Sequence, residues 1–175
     1  MKDILFFLLK AFLLIVFLLI VGHISIFIHE MGHAAVYMIA AKDRNWRIIV
    51  GSGQTLIRTK HFVFNIRPYG GLFLPDDPNR IETDGKKAMV LFGGILATFL
   101  LAILFILPLK AAAVLPGGTI FQICLIIGFL YNFILFILVF ISHRHRIGVN
   151  KGAESDGMKL NPIMKRLRGF APEKQ

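Results

Sequence analysis

Acidic side chains are scarce in this chain: 10 Asp+Glu stand against 20 Lys+Arg, a formal net charge of +10 over 175 residues. That imbalance alone would suit a nucleic-acid binder, but no reader module and no interleaving of aromatic with basic residues accompanies it, so no nucleic-acid partner is expected. Cysteine is nearly missing. Cys124 is the single one, so no internal disulfide can form, and its place inside an apolar run reads as a small hydrophobe. Internal repeats and low-complexity segments are missing too, and the length suits one compact membrane-embedded core over 1–175.

Charge is also missing from long stretches. The chain is 56% hydrophobic with a mean hydropathy of +0.71, a composition of integral membrane proteins. The apolar runs extend roughly from Ile4 to Ala41, from Ala88 to Leu109 and from Ile120 to Ser142. Each exceeds the roughly 20 helical residues needed to cross a ~30 Å hydrocarbon core, and the expected spans are about 11–38, 88–109 and 120–142. No Pro, Asn or charged residue lies near Gly22 to reverse the first run, which therefore reads as one long tilted helix with its start, around Lys2 to Lys10, at the interface. A secretory signal peptide is disfavoured, because the run is too long and leads into a polar motif.

Lys2, Lys10 and Lys110 are the only cations outside two segments, 42–87 and 143–175. With three spans this places both basic segments on one side, by the positive-inside rule the cytoplasmic one, with attraction to anionic lipid. The expected setting is a multi-pass protein of a bacterial cell membrane with its site toward the cytoplasm.

The first connector carries strand signals. Trp46 to Val50 is apolar and β-branched, Gly51-Ser52-Gly53 signals a turn, and Thr55 to Thr59 and His61 to Arg67 read as further strand. Phe62, Phe64 and Ile66 alternate with His61, Val63, Asn65 and Arg67, so one face can be buried while the other meets water. The expected fold is thus an all-α integral membrane protein with about three transmembrane helices. A small membrane-dipping β-hairpin or sheet over 46–74 lies between the first two, and a tail, 143–175, follows the third.

Between Ala11 and Ala41 the residues ionisable near neutral pH are His23, His29, Glu30 and His33. Such groups are costly at membrane depth and mark function by default. Positions i and i+4 share a helix face, so His29 and His33 can address one ion, with Glu30 beside them as a proton acceptor: the HExxH pattern of zinc hydrolysis. Gly32 would leave space close to the helix for metal, water and substrate backbone. Haem ligation is the rival metal reading, but two histidines on one side of one helix suit a small ion better. Ion transport would want more polar residues than the second and third spans hold: Thr98, Gln122, Asn132 and Ser142.

Catalytic zinc takes three protein ligands and keeps an open position. His23 falls on another face of the helix, and His143 and His145 sit among arginines. Asp156, between Ser155 and Gly157 and ahead of a basic helical pattern from Met158 to Arg168, is the better candidate. An N-cap role for that aspartate is the competing reading.

Taken together, His29-Glu30-Met31-Gly32-His33-Ala34, Pro68-Tyr69-Gly70-Gly71, Phe92-Gly93-Gly94-Ile95-Leu96-Ala97-Thr98 and Ser155-Asp156-Gly157 resemble, in order, the motifs of the site-2 protease family of intramembrane zinc metalloproteases. The resemblance covers about Ile20 to Leu160. It implies one Zn2+ per chain held by His29, His33 and Asp156, with Glu30 as general base and a transmembrane-helix protein as substrate. It further implies that the strand-like loop ending at Gly71 pairs with unwound substrate, which makes Phe64, Ile66, Gly70 and Gly71 candidate substrate-binding residues. The chain departs from the family in two places: Val139-Phe140-Ile141-Ser142 replaces an Asn-x-x-Pro, and Gly94 and Thr98 replace a proline and an asparagine. Oxyanion support would then fall to Asn132 or Asn150. With no sensor module in sight, regulation would come from a membrane partner or from the substrate. The alternative function is a non-catalytic zinc-binding adaptor that captures transmembrane helices.

Overall fold

A computed structural model describes residues 2–112, 118–141, 144 and 151–169. His143, His145 and Asn150, and with them any oxyanion role for Asn150, lie outside the described residues.

The first apolar run is one uninterrupted helix, α1 (Lys2–Ala41). Forty residues at 1.5 Å rise make it roughly 60 Å long, about twice the hydrocarbon thickness. It ends at Lys42, whose φ of 52° is a left-handed conformation that breaks the helical path. Two long strands follow, β1 (Trp46–Arg58) and β2 (Phe62–Pro75), then α2 (Asp84–Ile106), a short α3 (Leu109–Ala112), α4 (Gly118–Phe140) and α5 (Asp156–Leu167). Among the described residues α1, α2 and α4 are long and apolar enough to cross a membrane. The second expected span gains a turn at its start because Thr83 caps α2, its hydroxyl accepting from the Lys86 amide.

β1 and β2 form an antiparallel two-stranded sheet whose register shifts repeatedly. Gly51 and Gly53, with φ of 79° and 88°, bend β1 where only glycine turns cheaply. The bends give Ile48, Ile49 and Val50 two sets of partners, Phe62, Val63 and Phe64 along one edge and Phe73, Leu72 and Gly71 along the other. This first leg of β1 is therefore the centre of the sheet, and Ile48 and Val50 are fully buried with Ile26, Ala34 and Tyr37 of α1.

That arrangement decides which face of the second strand lies inside. Val63 and Asn65 are buried, whereas Phe62 and Phe64 are half-buried against Phe27, and Ile66 is exposed. Asn65 can go inside because its side chain is satisfied there, donating to the Gly51 carbonyl and accepting from the Thr55 hydroxyl.

The C-terminal end of α1 is tied down outside the apolar run. The Tyr37 hydroxyl donates to Asp43, and Arg80 lies 3.6 Å from the same carboxylate. The Asn45 amide, then Tyr37 and Arg80, hold the Asp43 carboxyl below its ordinary range against the opposing effect of burial.

Helices α1 and α2 meet backbone to backbone. A Cβ at Gly32 would strike the Gly93 peptide and Ala97, and a Cβ at Gly93 would strike Gly32. Gly32 thus serves helix contact and does not line the cavity described below, contrary to the room for metal and substrate expected from sequence. Such close approach of small residues is how helices associate where lipid removes the hydrophobic driving force.

Candidate metal centre

His29 and His33 project from α1 toward α2, and α2 fixes the tautomer of both rings. Nδ1 of His33 donates to the Val90 carbonyl at 2.7 Å; Nδ1 of His29 lies 3.0 Å from the Gly94 carbonyl and 2.9 Å from the Thr98 hydroxyl. Thr98 donates its own proton to Gly94, so its oxygen accepts from His29. Each Nε2 therefore presents its lone pair, the form that binds metal. Gly94 is part of the device, since a Cβ there would overlap the His33 ring.

Asp156 arrives from the far end of the chain. Its Oδ2 lies 3.0 Å from His29 Nε2 and 3.1 Å from His33 Nε2, and the two Nε2 atoms are 3.2 Å apart. Three acceptors converging on one point repel unless a proton or cation sits among them. Corners of a tetrahedron with bonds of about 2.05 Å lie ~3.3 Å apart, close to all three separations. Two imidazoles and a carboxylate are also a donor set of catalytic zinc, so the residues fit the metal.

The N-cap reading of Asp156 is resolved by its neighbour. Ser155 caps α5, its hydroxyl accepting from the Met158 amide and donating to the Ile141 carbonyl, which frees Asp156 at the first helical position to face the histidines. Gly157 seats the turn, for a Cβ there would run into the Phe140 backbone. Burial raises the Asp156 carboxyl, but when a proton stands in the cation's place on Nε2 of His33 and His29, the charged, donating rings more than offset this and hold it well below the usual carboxylate range, so it remains an anion.

His29, His33 and Asp156 border a cavity of about 340 Å³ that is also lined by Glu30, Tyr131 and Lys159 and is edged by Gly70 to Phe73. Gly71 has to be glycine: a Cβ would displace the Glu30 carboxylate and Ile26. Of the residues expected to bind substrate, Gly70 and Gly71 line the cavity; Phe64, Ile66 and Asn132 do not. Asn132 is fully buried in α4, its amide donating to the Gly128 carbonyl while its oxygen has no partner among the described residues. His23 is likewise apart from the metal group, its ring bridging the Leu19 and Asn65 carbonyls.

Sequence reasoning missed Thr98, Gly94 and Lys159. The first two stand in a segment whose resemblance to the family signature was noted, and their use follows from which face of α2 meets α1. Lys159 could have been found from its place one helical turn after Asp156.

Thr98→Val is expected to weaken metal binding 10- to 100-fold, the usual effect of removing a hydrogen-bond partner behind a ligating histidine. Competition against a chelator measures it; an unchanged affinity would mean that Gly94 alone orients His29.

The profile described as peptidase family M50 matches residues 16–146. This covers the HExxH helix, the sheet and α2 and stops ten residues short of Asp156, whose part rests on the geometry above. No curated protein matches the chain. With about three quarters of its length in the family match, the chain belongs to peptidase family M50, a family of membrane metalloproteases.

Proposed function

We propose that this protein is an intramembrane zinc endopeptidase that hydrolyses peptide bonds of transmembrane or membrane-proximal segments. The observation that carries the reading is the convergence of His29, His33, Asp156 and Glu30 on one cavity edged by an extended backbone, Gly70 to Phe73.

Zinc held there supplies Lewis acidity that brings the ionisation of water toward neutral pH. The chain's own residues do the remainder. Glu30 accepts the proton of the attacking water and delivers it to the leaving amine. Lys159 brings a cation to the cavity where oxyanion charge develops, a role the sequence had assigned to Asn132 or Asn150. Substrate lies extended along Gly70 to Phe73, because a helical substrate keeps its carbonyls bonded internally.

Depth supports a membrane substrate. His33 meets Val90 and His29 meets Gly94, only three and seven residues inside Lys87. At 1.5 Å per residue the centre lies roughly 5–10 Å below the level of that cation, shallow enough for water. Lys86, Lys87 and the basic α5 share this end, which the positive-inside rule assigns to the cytoplasm.

The test is metal analysis beside cleavage of a co-expressed single-span substrate. Wild type is expected to hold about one zinc and to cut, with both lost in His33→Ala and Asp156→Ala. Zinc held by wild type without cleavage of any single-span candidate would instead favour the adaptor that captures helices.

A further inference from the structure

Helix α5 carries an apolar stripe at i, i+3, i+4 and i+7: Leu160, Ile163, Met164 and Leu167. The stripe outruns the protein. Ile163 is buried at 7% exposure, whereas Met164 and Leu167 are 36% and 52% exposed.

Cations surround that uncovered end. Lys165 and Arg168 are exposed on α5, and Lys86 and Lys87 are exposed on the first turn of α2. The two helices are joined there by Arg166, whose guanidinium grips Asp84 at 2.6 and 3.0 Å. Asp84 is thereby neutralised, and among the described residues the exposed Glu82 is the remaining acid beside four cations that make no described ion pair. The start of α2 also marks where a candidate membrane span begins. An apolar edge beside uncompensated positive charge at such a boundary is the chemistry of an anionic lipid surface, where each cation contributes about fivefold in binding.

The same helix presents Asp156 at its other end. From Asp156 to Arg166 is roughly 15 Å of helix, so whatever holds the basic end also aims the ligand. The polar chain segment just before α5 is long, and the described attachments of this segment and α5 include the Arg144–Glu154 pair, the Ser155–Ile141 bond, the Gly157 contact and the Arg166–Asp84 pair.

We propose that the surface formed by Lys86, Lys87, Met164, Lys165, Leu167 and Arg168 seats on anionic phospholipid headgroups, and that this seating holds Asp156 against the histidines, so that the charge of the membrane controls metal retention. The proposal rests on the reading of His29, His33 and Asp156 as metal ligands.

The experiment uses the full chain in bilayer discs of phosphatidylcholine alone or mixed with phosphatidylglycerol. Two quantities are read: the rate of zinc loss to a chelator, and the emission of an environment-sensitive dye on Met164→Cys in a Cys124→Ser background. The expected result is about tenfold slower zinc loss with phosphatidylglycerol, abolished by salt, together with a blue-shifted dye. The variant with Lys86, Lys87, Lys165 and Arg168 all changed to Gln is expected to lose zinc at one rate in both bilayers, equal to wild type in neutral lipid. Equal wild-type rates in the two bilayers, or a lipid effect that survives in the variant, overturns the proposal, even if the dye shifts. Failure of wild type to hold zinc in either bilayer removes the metal-site reading itself, and the proposal with it.

Discussion

Glu30→Gln is expected to abolish cleavage of a co-expressed membrane substrate while the protein keeps its zinc. The carboxamide has nearly the same shape, so the cavity and the close approach of Gly71 are preserved, but it cannot take up a proton. Loss of a general base alone costs about 10²- to 10⁴-fold, and here the same group also serves the leaving amine, so residual activity should fall below detection. Glu30 is not among the three residues whose donor atoms converge, so metal content should stay near that of wild type. Metal analysis and cleavage on the same preparation separate the two effects. Full activity in this variant would remove Glu30 as the base and leave the proposed chemistry without a proton acceptor.

Gly32→Ala should produce a large structural effect for a single methyl group. The new Cβ would lie 2.7 Å from the Ala97 Cβ and 2.8 Å from the Gly93 carbonyl carbon, neither of which is the free end of a flexible side chain. Relief comes only by moving α1 from α2, at about 1–3 kcal/mol or more. The movement would stretch the bonds by which Val90, Gly94 and Thr98 orient the histidines, so zinc affinity should fall along with thermal stability. Gly85→Ala is the control. Nothing lies within 4 Å of a Cβ there, and the change should be neutral or stabilise by about 0.5–1 kcal/mol, since alanine favours the helix. Melting curves and chelator competition on both variants check the pair; equal stability would mean that the helices are not locked at Gly32.

What could be read from the sequence follows from which interactions are local. Hydropathy is a running property, so the helices through Ile4–Ala41, Ala88–Ile106 and Ile120–Phe140 were legible, and the first proves continuous through Gly22. The pairing of His29 with His33 is one helical turn and needs no tertiary knowledge. Asp156 could be singled out as the better third candidate but not separated from a cap, because nothing local distinguishes the two; it took the Ser155–Met158 bond to show which residue capped. Which face of β2 is buried stayed open for a similar reason. Alternation revealed two faces but not that β1 doubles back to cover Val63 and Asn65, nor that Asn65 would find Gly51 and Thr55 inside. Gly32 was assigned to the metal because it lies between two ligands, whereas its Cα faces another helix. Glycines at a helix contact carry no signal of their own; the evidence is in the partner, Gly93.

The separation of 123 residues between His33 and Asp156 also has a meaning in time. At 5–20 residues per second, a ribosome needs roughly 6 to 25 s to pass from one to the other. During that interval the HExxH helix can already occupy the bilayer, yet Asp156 has not been made. On the proposed reading, the nascent chain would stay harmless to its neighbours in the membrane by the order of its own translation, and would be armed only when α5 emerges.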